Sequence, residues 1–183
     1  MYSHIREKYV LYFQDEMRYG LLSNVRRSWS KVGERAILPH QHAFENRYLF
    51  SAVSPLTGES FHLMGVDGMD SIAMNVFLTE LKKQHPNEHV FVVIDNAPCH
   101  KPKWVRDIEG LTVIFLPPYS PELNPTERYF EEMRRATANR VFETLEDIEK
   151  VIEVEVKRWS DDAEAMRQLL GYEWIRNQVT EVY

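Results

Sequence analysis

The chain has a single cysteine and no long apolar segment. Cys99 has no second cysteine in the 183 residues with which to form an internal disulfide, which favours a reducing environment. No apolar run approaches the roughly 20 residues that cross a bilayer. The first ten residues lack the apolar core of a signal peptide. We therefore expect a soluble, cytoplasmic protein rather than a secreted or membrane-embedded one.

Glycine is scarce, and basic residues are outnumbered by acidic ones. With seven glycines, 44% hydrophobic and 27% charged residues, the composition is that of a globular domain and excludes extensive disorder. The length suits one domain over residues 1–183. A net charge of −6 is unusual for an isolated DNA-binding module, because phosphate contacts supply most of the affinity of such modules. The acidic residues are concentrated in 143–164, however, so net charge alone excludes no DNA-binding function.

The hydrophobic pattern predicts a mixed α/β fold. Apolar and β-branched runs indicate strands, and apolar residues at helical spacing indicate helices. The predicted strands are 8–14, 47–55, 59–66, 90–94 and 111–116, with weaker candidates at 20–29 and 34–38. The predicted helices are 71–84, with Ser71 as its N-cap, 102–108, and most of the chain after 125, with breaks near 142–144 and 160–162. This order predicts antiparallel strands first, then strands joined by helical crossovers, with flanking helices.

Two predicted strands each end on an aspartate. Asp15 follows KYVLYFQ, and Asp95 follows the uniformly apolar VFVVI. Ligands bind beyond the carboxyl ends of strands in an open α/β sheet, so neighbouring strands would bring both carboxylates to one crevice. Two such anions repel unless a cation lies between them. Oxygen ligands without histidine or thiolate partners favour magnesium or manganese.

A third acid, Glu127, lies at the predicted start of a helix. Asn124 is a good N-cap, Pro125 suits the first helical position, and Glu127 falls at the third. Such a rigid element can present a carboxylate to two metal ions about 3.5–4 Å apart, as used for in-line phosphoryl displacement. Taken singly, each of the three acids is explained at least as well as a turn or cap residue.

The segments around these acids resemble a known family. IDNAPCH at 94–100 and LPPYSPELNPTER at 116–128 are similar to the signature of mariner-like transposases, and most of all to bacterial insertion-sequence family six-thirty. The FQDE segment and RRSWSKVGER at 26–35 also match the family pattern. The likeness covers roughly residues 8–160. It implies an RNase H-like fold and a metal-dependent transposase.

The resemblance implies specific roles for the three acids. Asp15, Asp95 and Glu127 would be the catalytic residues and would hold two Mg²⁺ or Mn²⁺ ions. Water would cleave double-stranded DNA at the transposon end, and the freed 3′-hydroxyl would attack target DNA, typically at TA. The family also implies a homodimer. Between Asp95 and Glu127 lie 31 residues, slightly fewer than usual in the family. The family's N-terminal helix-turn-helix domain is not found before residue 1, so we expect an excised or split catalytic domain.

Further residues are candidates for supporting roles. Asn96 and His100 follow Asp95 and are candidates to orient a metal ligand or to contact a phosphate, although His100 is equally suited to line the next helix. Glu16 would lie on the opposite face of the strand from Asp15, as a structural or supporting group. The basic residues predicted to contact DNA phosphates are Arg26, Arg27, Lys31, Arg35, Lys101 and Lys103. A solvated surface explains these basic residues about equally well.

Two other functions are compatible with the sequence. One is an inactive or split remnant of a transposase that acts only as a folded or binding module. The other is a general RNase H-like nuclease that cleaves DNA without recognising transposon ends.

Overall fold

The computed structural model describes residues 8–180, and its centre is a five-stranded mixed sheet. The strands are β1 (Tyr9–Gly20), β2 (Asn46–Val53), β3 (Ser60–Val66), β4 (His89–Ile94) and β5 (Leu111–Phe115). They lie in the order β3-β2-β1-β4-β5. β1 pairs antiparallel with β2, and β2 with β3, whereas β4 pairs parallel with β1 and with β5. The predicted order of antiparallel strands followed by crossover strands is confirmed.

Six helices flank the sheet in the described part of the chain. They are α1 (Ser71–Gln84), α2 (Lys103–Arg106), α3 (Thr126–Thr137), α4 (Leu145–Ser160), α5 (Ala163–Leu170) and α6 (Glu173–Thr180). α1 connects β3 to β4, and α2 connects β4 to β5, which are the crossovers that parallel pairing requires. Over residues 8–180, no helix is both long and apolar enough to cross a membrane.

Both faces of the sheet are covered because the side chains of β2 alternate between two cores. Phe50 and Ala52 pack with Phe77 of α1 in the core on one face. Leu49 and Val53 pack in the opposite core, with residues of α3, α4 and α5. Side chains of successive strand residues point to opposite faces, so the run LFSAV covers both layers. The sheet is thereby held rigidly between two helical layers, and its central strands carry the candidate site.

β1 is longer than the sequence predicts. The apolar run predicts an end just before Asp15, but β1 continues to Gly20. The reason is its partner: β2 pairs with β1 along this extension as far as Asn46, which supplies hydrogen bonds that local propensity does not reveal. Asp15 therefore lies within a strand and not at its end.

The two weaker strands predicted after β1 are wrong. Apart from residue 20, both predicted strands fall within residues 21–45. The structure has a largely exposed loop there, without strand structure. Trp29 and Ile37, which belong to the two predicted strands, are almost fully exposed there, as is Val32 between these strands. A strand needs a neighbour to satisfy its backbone groups, and this part of the chain has none beside it.

The first helix begins as expected but with a different cap. Asp70, and not Ser71, is the N-cap of α1: its carboxylate accepts hydrogen bonds from the backbone N–H groups of Ile72 at 2.9 Å and Ala73 at 2.8 Å. Ser71 instead donates its hydroxyl to the backbone oxygen of Cys99 at 2.8 Å. Both residue types are good caps, so only the tertiary contact of Ser71 distinguishes them.

The remaining helices follow the prediction with two differences. α2 spans only Lys103–Arg106 of the predicted 102–108. The C-terminal region has the two predicted breaks and a third at 171–172, between α5 and α6. Gly171 there ends α5, and glycine is the residue least suited to continue a helix apart from proline.

Candidate active site

Asp15 and Asp95 lie side by side in the centre of the sheet. β1 and β4 run parallel, with Phe13 paired to Val93, so two residues further on Asp15 is level with Asp95. β4 ends at Ile94 while β1 continues, which leaves open space beside Asp15. The predicted meeting of these two aspartates is therefore found, although only one of them follows a strand end.

Glu127 is fixed near Asp15 by hydrogen bonds that tie the start of α3 to β1. The Asn124 side-chain amide donates to the backbone oxygen of Gln14 at 3.0 Å, and the Thr126 hydroxyl donates to that of Phe13 at 2.9 Å. The Asn124 side-chain oxygen also accepts from the backbone N–H of Thr126 at 3.1 Å, as a cap would. The helix begins at Thr126, so Glu127 is its second residue rather than the third.

We expect the substitution Asn124→Ala to destabilise the protein. The Asn124 side chain is almost completely buried, and its loss leaves the Gln14 carbonyl oxygen without this partner. An unsatisfied buried carbonyl predicts a loss of about 2 kcal/mol in the free energy of unfolding, measured by urea denaturation. Ser120→Ala is the control, because Ser120 makes only a long, exposed bond of 3.4 Å. Equal urea midpoints for the two variants would contradict the role of this tether.

A crevice of about 520 Å³ brings the three predicted acids together. Asp15 and Asp95 line its floor at the sheet, and Glu127 lines it from α3. The rest of the lining is formed by Asn96, Ala97, Lys101, Asn124 and the loop 116–121. The crevice therefore contains three carboxylates and one lysine, a strongly acidic combination.

The Asp15 carboxyl group feels this acidic environment most strongly. Burial, together with the nearby charges of Glu16, Glu127 and Asp95, raises its pKa to about 8, against the lowering effect of the hydrogen bond from the Glu16 backbone. A buried carboxyl group surrounded by other carboxylates is stabilised either by a proton or by a cation. The crevice thus has the charge distribution of a cation site.

His100 links Asp95 to Glu16 beneath the crevice. Its Nδ1 lies 2.9 Å from the Asp95 carboxylate, and its Nε2 lies 3.0 Å from that of Glu16. Burial lowers the pKa of His100, but the hydrogen bonds to the two acids outweigh burial and raise it to about 10. The hydrogen bond from His100 in turn lowers the pKa of Asp95. His100 is only 1% exposed, so it holds Asp95 in place and is not placed to contact a phosphate.

The carboxylates do not form a finished metal site as they stand. Among residues 8–180, no group of three or more histidine, cysteine or acidic side chains is arranged closely enough to hold a metal ion. One Asp95 oxygen is taken by His100, and one Glu127 oxygen lies 3.4 Å from the Arg134 guanidinium. Each carboxylate has a second oxygen, however, and the donor set is oxygen only, as magnesium and manganese prefer. The residue types in the crevice therefore fit these ions.

Of the predicted supporting and DNA-contacting residues, only Asn96 and Lys101 line this crevice. Asn96 donates its side-chain amide to the Leu116 backbone oxygen, which joins the ends of β4 and β5. Lys101 lines the crevice. Lys103 is exposed on α2, and so are three of the predicted basic residues in the loop 21–45, namely Arg27, Lys31 and Arg35. Arg26, from the same loop, is instead paired with Glu131 of α3 at 3.1 Å.

Sequence reasoning missed the long-range partners of this site. The Glu16–His100 pair joins two segments that no local pattern connects, whereas Glu127 and Arg134 lie two turns apart on α3. Asn124 was identified only as a helix cap, whereas its amide also reaches β1. The alternation of side chains along β1 was the only available signal, and it correctly separated Glu16 from the face of Asp15.

A family comparison agrees with this geometry. Residues 10–149 match the family described as DDE superfamily endonuclease. The chain belongs to this DDE endonuclease superfamily. The matched segment begins in β1 and ends in α4, so it contains nearly the whole sheet and all three acids of the crevice. The expected family is thereby confirmed.

Similar proteins are found among sequences and structures. The chain is 34% identical over 103 residues to the uncharacterized protein y4pE/y4sA of Sinorhizobium fredii, over 55% of this chain and 76% of that protein. It resembles the Mos1 mariner paired-end complex with manganese with a TM-score of 0.66 and 21% identity, over 88% of this chain and 51% of that chain. For the Mos1 strand transfer complex the TM-score is 0.65 and the identity 19%, over 88% and 50%.

These likenesses confirm the fold of the DDE endonuclease. The mixed five-stranded sheet with flanking helices is the RNase H-like arrangement expected from the sequence. The chain spans about half the length of the Mos1 chains that it matches.

Proposed function

We propose that this DDE endonuclease is the catalytic part of a DNA transposase, which cleaves strands at transposon ends and transfers them to target DNA. The observation that carries the proposal is the convergence of Asp15, Asp95 and Glu127 in one crevice. The fold likeness to the Mos1 strand transfer and paired-end complexes supports the reaction type.

We also propose that the chain forms one catalytic domain, because all its helical layers pack on one sheet. We further propose that it acts as a homodimer in the cytoplasm.

The three acids are proposed to hold two Mg²⁺ or Mn²⁺ ions. When bound, two such ions activate the attacking oxygen and stabilise the leaving oxygen of an in-line displacement at phosphorus. Asp15 and Asp95 meet across the β1–β4 junction, and Glu127 faces them from α3. The choice of ions is supported by the similar Mos1 paired-end complexes, one of which is a complex with manganese and another a complex with magnesium.

Other residues of the chain are proposed to position these acids and the DNA. His100, which is itself bound by Glu16, holds one oxygen of Asp95 and leaves the second oxygen for a cation. Asn96 fixes the backbone that follows Asp95. Lys101 is placed to contact a DNA phosphate at the crevice. The exposed basic residues of the loop 21–45 are proposed to contact phosphates farther along the duplex.

Manganese binding, measured by titration calorimetry, tests the site. We expect the wild-type protein to bind manganese, and Asp15→Asn and Glu127→Gln each to weaken binding by about tenfold or more, since each removes a charged ligand. Glu131→Gln is the matched control, because Glu131 lies one turn beyond Glu127 on α3 and pairs with Arg26. Equal affinity in all four proteins would show that the ions bind elsewhere.

The choice of DNA substrate separates a transposase from a general nuclease. The proposed transposase nicks duplexes that contain the element's end sequence in preference to unrelated duplexes of equal length. A general RNase H-like nuclease nicks both at the same rate. An inactive remnant nicks neither, even when it binds manganese.

A further inference from the structure

Tyr119 is the most exposed aromatic residue at the crevice. Its side chain is fully exposed, although it lies on the loop that lines the crevice together with Asp15, Asp95 and Glu127. Within residues 8–180 its side chain makes no hydrogen bond, ion pair or ring contact. Nothing in the described fold therefore requires a tyrosine at this position.

The backbone at Tyr119 is unfavourable for this residue type. Its φ is +59°, in the left-handed region that bulky residues rarely adopt. Among the described residues, Asn139 is the second non-glycine residue with a positive φ, at +58°. Its conformation is explained, because asparagine tolerates this region and the Asn139 side chain accepts a hydrogen bond from the backbone N–H of Arg26 at 2.8 Å. Strain held by the surrounding structure, as at Tyr119, is typical of residues that contact a ligand.

Prolines on both sides hold Tyr119 in this position. Pro117 and Pro118 precede it and Pro121 follows it, and each fixes its own φ and restricts the residue before it. The backbone that carries the ring is therefore restricted at a position that lines the crevice. An exposed aromatic face beside the crevice suits the stacking of a nucleobase, because every base has a π-face.

We propose that Tyr119 is a stacking platform for an unpaired nucleobase of the DNA strand that enters the crevice. The proposal rests on the proposed function, because only a nucleic-acid substrate brings a base close to the three acids. Lys101 lines the same crevice and supplies a positive charge for the phosphate of that strand. Tyr119 thus contributes base contacts that are independent of the metal-binding acids.

Two single-stranded probes of equal length test the proposal: an oligonucleotide with all its bases and an abasic strand with the same phosphates. Binding is measured by fluorescence anisotropy with a chelator present, so that no metal is needed. We expect the wild-type protein to prefer the base-containing probe by about tenfold, the size of one base–aromatic stack. Tyr119→Gly is expected to bind both probes equally, and Tyr119→Phe to behave as the wild type.

Controls exclude an indirect effect of the substitution. Glycine adopts a positive φ freely, so the melting temperature of Tyr119→Gly should not fall below that of the wild type. Phe44→Ala removes an aromatic that is 73% exposed and does not line the crevice, and it should keep the preference for bases. A retained preference in Tyr119→Gly would overturn the proposal, and so would its loss in Phe44→Ala.

The test of the stacking role of Tyr119 and the test of the proposed metal site can fail independently of each other. The probes require neither metal nor cleavage, whereas manganese titration depends on the acids. A protein that binds manganese but shows no Tyr119-dependent preference refutes the stacking role alone. A protein that shows the preference but binds no manganese refutes the proposed metal site alone.

Discussion

Replacing Asp95 with asparagine is expected to lower manganese-dependent strand nicking by about 10³-fold or more, because it removes a charged ligand from the centre of the proposed site. Asparagine has nearly the same shape, so the crevice and the helices around it should remain intact. Rates are measured on a supercoiled plasmid, where a single nick is detected as the relaxed form. Because the variant also loses the ion pair between Asp95 and the buried His100, its melting temperature is expected to fall, and nicking rates are compared at a temperature where both proteins are folded.

The contrast with a nearby acid makes this prediction specific. Glu131→Gln removes the same charge from α3, outside the crevice lining, and should leave the nicking rate nearly unchanged. If Asp95→Asn nicks at the wild-type rate while folded, the assignment of Asp95 as a metal ligand is wrong. If both variants lose activity equally, the effect arises from charge in general and not from the site.

Truncating Phe130 to alanine is expected to destabilise the protein by about 3–5 kcal/mol, the usual cost of removing a large aromatic side chain from a core. Phe130 is fully buried on α3, in the core that joins this helix to β2, α4 and α5. The midpoint of thermal unfolding, followed by circular dichroism, should fall by roughly 10 °C. Glu127 lies on the same helix, so this core also supports the position of one proposed ligand.

Two further substitutions serve as controls for Phe130→Ala. Phe130→Leu keeps most of the buried volume and should cost less than about 1.5 kcal/mol. Ile72→Ala on α1 removes an apolar side chain that is 68% exposed, and should change stability by less than about 0.5 kcal/mol. A fall for Phe130→Ala no larger than that for Ile72→Ala would contradict the packing of α3 against the sheet.

Most of the secondary structure was predictable because its signals are local. The uniformly apolar run of β4 and the hairpin of β2 and β3 are visible in the sequence, and the structure has them within a few residues. The extension of β1 beyond Asp15 was not predictable, because its hydrogen bonds come from β2, about 30 residues later. The apolar residues of the loop 21–45 misled for the opposite reason, since they suit a strand but have no partner strand.

The candidate site was likewise predictable only in part. The types of its acids and the signatures around Asp95 and Glu127 can be read from the sequence, and they indicated the family that the comparison shows. Singly, each acid is better explained as a turn or cap residue, and only the signatures around the acids favour a catalytic role. The register of β1 against β4 decided that Asp15 and Asp95 meet, and the tether from Asn124 to Gln14 decided that Glu127 faces them.

The sequence by itself thus determined the elements of this DDE endonuclease, its family and the three acids that form its candidate site. Only the tertiary structure decided how those acids are held: Asp95 by His100, which Glu16 also binds, and Glu127 by the tether from Asn124 to β1. It also revealed the strained and exposed position of Tyr119. Propensity and spacing act over a few residues, whereas burial, charge and hydrogen bonding in the crevice depend on segments that meet only when the chain folds.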